Sequence, residues 1–199
     1  MQNSAPTPNR LIVGISGASG VIYGIRLLQV LRELGVESHL VMSKSAQVTL
    51  GHETDLSVAD VKALADVHYA NTDIGAAISS GSFKVSGMVV APCSIKTLSE
   101  IATGVTSSLL SRAADVNLKE RRKLVLMVRE TPLHLGHLRS MTSVTEAGAI
   151  VCPPVPAFYA RPNSIEEMVD HTVGRVLDLF SLDAEIVKRW NPRPSSAQE

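Results

Sequence analysis

The sequence predicts an α/β fold, a three-layer α/β/α sandwich built on a parallel sheet of the Rossmann-like or flavodoxin-like type. Short apolar, β-branched segments alternate with amphipathic helical segments along the chain, which is the pattern of such sandwiches. The strand segments are apolar almost throughout, as expected for parallel strands that are covered on both faces. In addition, the apolar run at residues 11–13 enters a turn with Gly14, Gly17 and Gly20, and that turn opens a helix.

Each element is assigned from the spacing of its apolar residues. Strands are expected where short apolar runs end at turn residues, at residues 11–16, 37–42, 87–91, 123–128 and 149–152. Helices are expected where apolar residues recur every three or four positions, at residues 21–34, 44–50, 56–65, 94–102, 109–120, 135–147 and 164–180. Two segments are expected to lack regular structure, a loop at residues 71–81 and a proline-stiffened extended segment at residues 153–159.

Three helix ends carry specific signals. Gly35 follows the first helix and suits the position just after a helix C-cap. Ser57 suits the N-cap of the third helix. Ser164 and Glu167 have the spacing of a capping box at the start of the last helix.

The composition is that of a compact protein. The 199 residues are expected to form one domain over residues 10–190, with flexible ends at residues 1–9 and 191–199. The chain has 19 basic and 19 acidic residues, and this zero net charge argues against a nucleic-acid partner. Zero net charge together with a positive mean hydropathy suggests that apolar surface is buried between subunits.

The sequence also bears on location. Cys93 and Cys152 are the two cysteines, and they do not suggest a disulfide framework. No apolar run approaches the roughly 20 residues that a bilayer span needs, so no membrane partner is expected. The first ten residues lack the apolar segment of a signal peptide. We therefore expect a cytoplasmic protein.

Candidate binding residues lie where the predicted strands end. The carboxyl ends of parallel strands meet at one edge of a sheet, and ligands of open α/β sheets bind there. The candidates are Gly17, Ala18 and Ser19 after the first strand, Ser43 after the second, Ser94, Ile95, Lys96 and Thr97 after the third, and Arg129 and Glu130 after the fourth. None of these residues is specific alone, so the prediction depends on their common placement.

The glycine-spaced turn is compatible with a dinucleotide or with a mononucleotide. A dinucleotide site usually has an acidic residue near the end of the second strand for the ribose hydroxyls, whereas this sequence has Ser43 followed by Lys44. A hydroxyl and a cation suit a phosphate better, which favours a mononucleotide. For the glycine motif alone, a tight turn without a ligand is the alternative.

Charged residues could act beside such a phosphate. Arg129 is suited to clamp an anion and Glu130 to exchange a proton, although a surface ion pair is the alternative for both. His134 and His137 lie three residues apart without a third ligand, so no metal site is predicted. Further anion-binding candidates, each of which alone is more typical of a solvated side chain, are Lys119, Tyr159 and Arg175.

Over roughly residues 10–190 the sequence resembles the UbiX/Pad-type flavin prenyltransferases. Eight segments carry the resemblance: GISGASGVIYG near the start, Met42-Ser43-Lys44, His52-Glu53-Thr54, APCSIKTL, SRAADVNLKERRKLVL, VRETPL, PPVPAFYARP and the terminal Lys188-Arg189-Trp190. Together these segments are specific, although no single one is.

The resemblance implies an enzyme that joins a dimethylallyl group from dimethylallyl monophosphate to reduced FMN. The new bonds would form at the flavin N5 and C6, and no metal would take part. It further implies a homo-oligomer, a dodecamer with the flavin site at subunit contacts. A UbiD-type decarboxylase would receive the prenylated FMN.

The resemblance also implies roles for individual residues. FMN would be bound by Gly17, Ala18, Ser19, Ser43, Ser94, Ile95, Lys96, Thr97 and Arg129. The prenyl phosphate would be held by Arg112, Lys119, Arg129, Tyr159 and Arg175. Catalysis would fall to Ser19 beside the flavin N5, and to Glu53, Glu130 and Lys119.

Two other functions stay open at this point. One is an FMN-dependent oxidative decarboxylase with the same fold, and the other is a non-catalytic flavin-binding subunit of a decarboxylase complex. Two departures from the family stand close together. Relatives commonly have His-Leu-Glu-Asn-Met where this sequence has residues 137–141, so Arg139 replaces a carboxylate, and Gly136 just before them lowers the helix propensity. Neither departure touches the residues assigned above.

Overall fold

The computed structural model describes residues 9–190. At its centre lies a six-stranded sheet in the order β3-β2-β1-β4-β5-β6, in which every neighbouring pair is parallel. The strands are β1 (Arg10–Ile15), β2 (Glu37–Met42), β3 (Val67–Tyr69), β4 (Gly87–Cys93), β5 (Lys123–Val128) and β6 (Ile150–Val151). The helices are α1 (Val21–Glu33), α2 (Lys44–Glu53), α3 (Val58–Leu64), α4 (Ile95–Thr103), α5 (Leu109–Lys119), α6 (Leu135–Glu146) and α7 (Ile165–Asp178).

Each face of the sheet carries its own hydrophobic core. Leu11, Val13 and Ile15 of β1 pack on one face with residues of α1, α2, α3 and α7. Ile12, between them, packs on the other face with residues of α4, α5 and α6. A fully buried Leu or Ile side chain contributes about 1.5–3 kcal/mol, so the two cores firmly fix the sheet edge that carries the site. The predicted three-layer sandwich is confirmed.

One strand was not expected from the sequence. β3 pairs with β2 at the edge of the sheet, in the register His39↔Val67 to Val41↔Tyr69. Three residues are too few to show a strand pattern, which is why the apolar periodicity does not indicate it. A short 3₁₀ turn at Ala77–Ser79 interrupts the predicted loop. Another at Phe158–Ala160 replaces the last two residues of the predicted extended segment, which was therefore predicted too long.

The structure bears on two of the predicted helix ends and on the predicted flexible termini. Gly35 has a φ of +65° after α1, and Ser57 forms a full capping box with Asp60 at α3, so both signals are confirmed. Asn9 is held in place, because its side-chain amide donates to the carbonyl of Gly35 at 2.8 Å. The rest of the predicted flexible ends, residues 1–8 and 191–199, lie outside the described residues.

At α7 only half of the predicted capping box forms. The Ser164 hydroxyl accepts from the Glu167 N–H at 3.2 Å, as expected. The Glu167 carboxylate, however, accepts from the N–H of Asn163 at 2.9 Å rather than from that of Ser164, so this bond of the box was predicted wrongly. The Asn163 side-chain amide adds a second contact to the same carboxylate at 3.4 Å, which favours the shifted position.

Gly24 is a point of very close approach between α1 and the sheet. A Cβ atom there would lie 2.4 Å from the carbonyl oxygen of Ala91 and 2.8 Å from the Ile15 side chain. We expect Gly24→Ala to lower the free energy of unfolding by about 2–3 kcal/mol, because the helix must move away from a backbone atom.

Urea unfolding followed by circular dichroism checks this effect. Gly51→Ala in α2 is the matched control, because open space surrounds a Cβ at that position. That control should be as stable as the wild type or up to about 1 kcal/mol more stable. An equal loss in both variants would contradict the packing explanation.

Candidate active site

Backbone hydrogen bonds join the carboxyl ends of neighbouring strands. The N–H of Ser43 donates to the carbonyl of Ile15 at 2.9 Å, and the N–H of Arg129 donates to that of Cys93 at 3.1 Å. The turns that follow β1, β2, β4 and β5 therefore meet at one edge of the sheet, as the sequence predicts. We call this set the strand-end cradle, which consists of residues 17–19, Ser43, residues 94–97, Arg129 and Glu130.

Two helices begin at the strand-end cradle with serine caps. The Ser43 hydroxyl accepts from the N–H of Ala46 at 3.0 Å at the start of α2. The Ser94 hydroxyl accepts from the N–H of Thr97 at 3.4 Å and donates to its hydroxyl at 3.2 Å at the start of α4. A helix start has four N–H groups without intrahelical partners and a positive dipole end, so each of these two starts suits an anion.

The start of α1 is arranged differently from the starts of α2 and α4. Glu53, the last residue of α2, accepts from the N–H of Gly20 at 2.9 Å and from that of Val21 at 3.0 Å. Its carboxylate thus occupies the anion-binding end of α1, where the glycine-spaced turn had suggested a phosphate. A carboxylate is stabilised at this position by the helix dipole. A phosphate in the strand-end cradle would therefore bind at the start of α2 or α4.

Glu53 is held in its charged form. Burial opposes ionisation, but hydrogen bonds from the Ser19 side chain and from the N–H groups of Gly20 and Val21, with the nearby charge of Arg129, together lower the pKa of Glu53. The side chain stays largely exposed, so a ligand can reach it. Ser19 and Arg129 thus both stabilise the ionised Glu53 at the cradle, the first through a hydrogen bond and the second through its charge.

The lowered pKa of Glu53 has a consequence for stability. A carboxyl group with a lower pKa in the folded chain adds stability above its unfolded pKa of about 4.3, and this stability is lost as pH falls through the folded pKa. We expect Glu53→Gln to be less stable than the wild type at about pH 7, with the difference shrinking below about pH 4. Denaturant unfolding across this range measures it, with Glu146→Gln as the control for loss of one exposed carboxylate. A difference that does not change with pH would contradict the assignment.

Arg129 lies within electrostatic range of a residue that the sequence did not single out. Burial raises the pKa of the Tyr23 phenol, and the Arg129 charge offsets part of this rise. The Tyr23 ring also lies beside Gly20, where a Cβ would be 3.1 Å from Tyr23 Cδ2. Glu130 follows Arg129, is exposed, and accepts from the N–H of Thr131 at 3.0 Å.

Lys119 lies away from the strand-end cradle. It is the last residue of α5, just before the amino end of β5, and it pairs with Glu120. A Cβ on Gly81 would lie 2.8 Å from its ammonium nitrogen, which places it beside the segment that leads into β4. Arg129, in contrast, follows the carboxyl end of β5. The six residues of β5, roughly 20 Å at 3.3 Å per residue, therefore separate the backbones of Lys119 and Arg129.

The other predicted ligands of the prenyl phosphate lie on α5, on α7 or next to α7. The Tyr159 hydroxyl contacts His171 Nε2 of α7 at 3.1 Å, and its ring meets that of Trp190 edge-on at 5.5 Å between centroids. Arg175, one turn beyond His171 on α7, pairs with Asp178 at 2.7 Å. On α5, the side chain of Arg112 pairs with Asp115 at 2.7 Å.

Within residues 9–190, His, Cys, Asp and Glu side chains do not come together in groups of three or more that could hold a metal ion. The rings of His134 and His137 are tilted by 35° to each other, with 3.6 Å between their centroids. None of the helices in the described part of the chain is long and apolar enough to cross a membrane.

Comparison with known proteins gives consistent matches. The family model described as Flavoprotein matches residues 2–177. The flavin prenyltransferase UbiX of Escherichia coli (strain K12) is 62% identical over 184 residues, which cover 91% of this chain and 97% of that protein. The flavin prenyltransferase UbiX of Thauera aromatica is 58% identical over 181 residues, which cover 91% and 93% of the two chains.

Solved structures match closely as well. AnUbiX (PadA1), in complex with FMN and dimethylallyl pyrophosphate, has a TM-score of 0.92 and 53% identity, covering 93% of this chain and 98% of that one. A dodecameric FMN-dependent UbiX-like decarboxylase from Escherichia coli O157:H7 has a TM-score of 0.90 and 50% identity, covering 92% and 100%. The cysteine decarboxylase TvaF has a TM-score of 0.59 and 18% identity, covering 71% and 88%, a likeness that shows the fold alone.

Proposed function

The chain belongs to the Flavoprotein family and, within it, to the UbiX-type flavin prenyltransferases, and we propose that it transfers a dimethylallyl group from dimethylallyl monophosphate to reduced FMN at the strand-end cradle. The observation that carries this proposal is that Ser19 and Arg129 both stabilise the charge of Glu53 where two serine-capped helices begin. This arrangement would put a charged base, a hydroxyl and a cation next to the phosphate of FMN.

The chemistry of the cradle fits FMN. The starts of α2 and α4, with the hydroxyls of Ser43, Ser94 and Thr97, offer donors to its phosphate. Gly17 packs so closely on α2 that a Cβ would lie 2.3 Å from the Cβ of Ser45, so glycine lets the turn after β1 approach the start of α2. Bound reduced FMN supplies two nucleophilic atoms, N5 and C6, to which the prenyl carbons become bonded.

We assign proton transfer at the flavin to Ser19 and Glu53. Glu53 has a lowered pKa, with a hydrogen bond from Ser19 among the causes. The Ser19 hydroxyl would relay the proton that leaves N5 to Glu53. Bond formation at C6 needs one proton for the alkene of the prenyl group and releases one proton from C6, and Glu53 would give the first and take back the second.

We assign Arg129 and Glu130 to the leaving phosphate. When the allylic C–O bond breaks, both bonding electrons stay on the phosphate, so a cation beside it lowers the barrier. Arg129 supplies that charge, and Glu130 donates a proton to the phosphate oxygen. Both residues follow β5 directly, so the rigid sheet sets their positions.

We further propose that a neighbouring copy of the chain completes the phosphate site. Lys119 cannot reach the Arg129 of its own chain across the length of β5, but it could reach the cradle of another copy. Tyr159 and Arg175 would act in the same assembled site, with Arg112 near them. Exposed apolar side chains near Tyr159 suit burial between copies, namely Val155, Phe158 and Trp190.

The wider setting is part of this proposal. We propose a dodecamer, by analogy with the dodecameric relative, and a UbiD-type decarboxylase as the recipient of the prenylated FMN. The proposed location is the cytoplasm. Analytical ultracentrifugation would test the assembly, and cell fractionation would test the location.

A substrate comparison tests the function against its alternatives. With reduced FMN under anaerobic conditions, we expect phosphate release from dimethylallyl monophosphate that depends on both compounds. Release of CO₂ from a peptide with a terminal cysteine, with oxidised FMN, would instead indicate a decarboxylase. FMN binding without either reaction would indicate a non-catalytic subunit.

A further inference from the structure

Ser16 joins two parts of the strand-end cradle. It is the residue between β1 and the turn at residues 17–19, and its exposed fraction is 1%. Its hydroxyl donates to the carbonyl of Pro92 at 2.8 Å and accepts from the N–H of Ser94 at 2.7 Å. The Ser16 N–H donates to the same Pro92 carbonyl at 3.2 Å. Three hydrogen bonds thus connect the end of β1 to the turn between β4 and α4.

Ser94, whose N–H donates to the Ser16 hydroxyl, is itself part of the strand-end cradle. Ser94 is the N-cap of α4, and its side chain bonds to Thr97. The hydrogen bond that the Ser94 N–H donates to the Ser16 hydroxyl fixes the backbone of Ser94, so it sets where α4 begins relative to residues 17–19. Without the Ser16 hydroxyl, only the bond from the Ser16 N–H to the Pro92 carbonyl would remain of these three.

We propose that Ser16 is a positioning residue of the flavin site, one that holds residues 17–19 and 94–97 in register without contacting the ligand. This inference rests on the proposed function, because it takes both turns to bind FMN. Its physical basis is preorganisation: a site that is already in its bound geometry loses less free energy of binding to ordering.

Ser16→Ala removes the bridging hydroxyl and leaves the Ser94 N–H without its partner. That N–H must then turn toward water or remain unsatisfied, and FMN binding has to restore the original geometry. We expect the Kd for FMN to rise about tenfold. We also expect faster amide hydrogen exchange at residues 94–97 in the absence of FMN.

Ser38 offers a matched control. It is another fully buried serine, and its hydroxyl donates to Asp66 Oδ2 at 2.9 Å and accepts from the Asp66 N–H at 3.1 Å. It lies near the amino end of β2, at the opposite edge of the sheet from the cradle. Ser38→Ala therefore loses a comparable buried network, but it should leave the Kd for FMN and exchange at residues 94–97 unchanged.

The experiment is an FMN titration of the wild type and both variants, followed by flavin fluorescence, with hydrogen exchange on the same samples. Weaker binding and faster exchange in Ser16→Ala alone support the proposal. A Kd for Ser16→Ala within about twofold of the wild type overturns it, and so does an equal weakening in Ser38→Ala, since the loss would then be general. If Ser16→Ala does not fold, Ser16→Cys, whose thiol is a weak hydrogen-bonding group, is judged by the same criteria. A wild type that does not bind FMN would instead overturn the proposed function, and this inference with it.

Discussion

Glu130→Gln is expected to slow prenyl transfer by about 10²–10⁴-fold, the loss that removal of a general acid causes, while FMN stays bound. Glutamine keeps the size of the side chain and can still accept the hydrogen bond from the Thr131 N–H. It has no proton to give to the leaving phosphate. Anaerobic single-turnover kinetics measure the rate, and the absorbance of flavin that co-elutes with the protein measures binding.

The control for this variant is Glu146→Gln, which removes an exposed carboxylate at the end of α6. It should keep the wild-type rate. Loss of FMN from Glu130→Gln would assign this residue a structural role in the flavin site. A rate within a few-fold of the wild type would show that Glu130 is not a catalytic residue.

Lys119→Ala is expected to lower turnover about 10²-fold, because a cation beside the leaving phosphate would be lost. A sharper test of the shared site uses oligomers that mix two variant chains. If Lys119 serves the cradle of a neighbouring copy, co-expression of Lys119→Ala and Glu130→Gln chains creates some sites with both residues intact. Random mixing should restore about a quarter of the wild-type activity.

Lys84→Ala is the control, since Lys84 is an exposed cation that leads into the amino end of β4. It should have little effect alone. If the mixture of Lys119→Ala and Glu130→Gln is no more active than the more active parent, then Lys119 does not act between copies. The separation of Lys119 and Arg129 along β5 would then exclude a shared phosphate site.

Most of the fold follows from apolar patterning, because buried parallel strands are continuous apolar runs. β1, β2 and β5 begin and end within one residue of the positions expected from the sequence. β3 escapes this reasoning, because its three residues gain their strand conformation from pairing with β2 rather than from their own pattern. The shifted cap of α7 has a similar cause, since Glu167 can reach two neighbouring N–H groups and the choice depends on Asn163.

The site was predictable to the extent that parallel topology places strand ends together. The convergence of Ser43, Ser94 and Arg129 follows from that rule. The contact of Glu53 with the start of α1 does not, because it joins residues 33 positions apart through the packing of two helices. The contacts of Ser16 are likewise not predictable from the sequence, since its partner Ser94 lies 78 residues away and a lone serine at a strand end carries no specific signal.

The most direct test of prenyl transfer is the mass of the flavin that the protein releases. The protein is loaded with reduced FMN, incubated anaerobically with dimethylallyl monophosphate, and denatured, and the released flavin is analysed by mass spectrometry. We predict a flavin heavier by one C₅H₈ unit than the reduced FMN that was loaded, formed only when the prenyl phosphate is present. An unchanged flavin mass, in a sample that has bound both compounds, would contradict the proposed function.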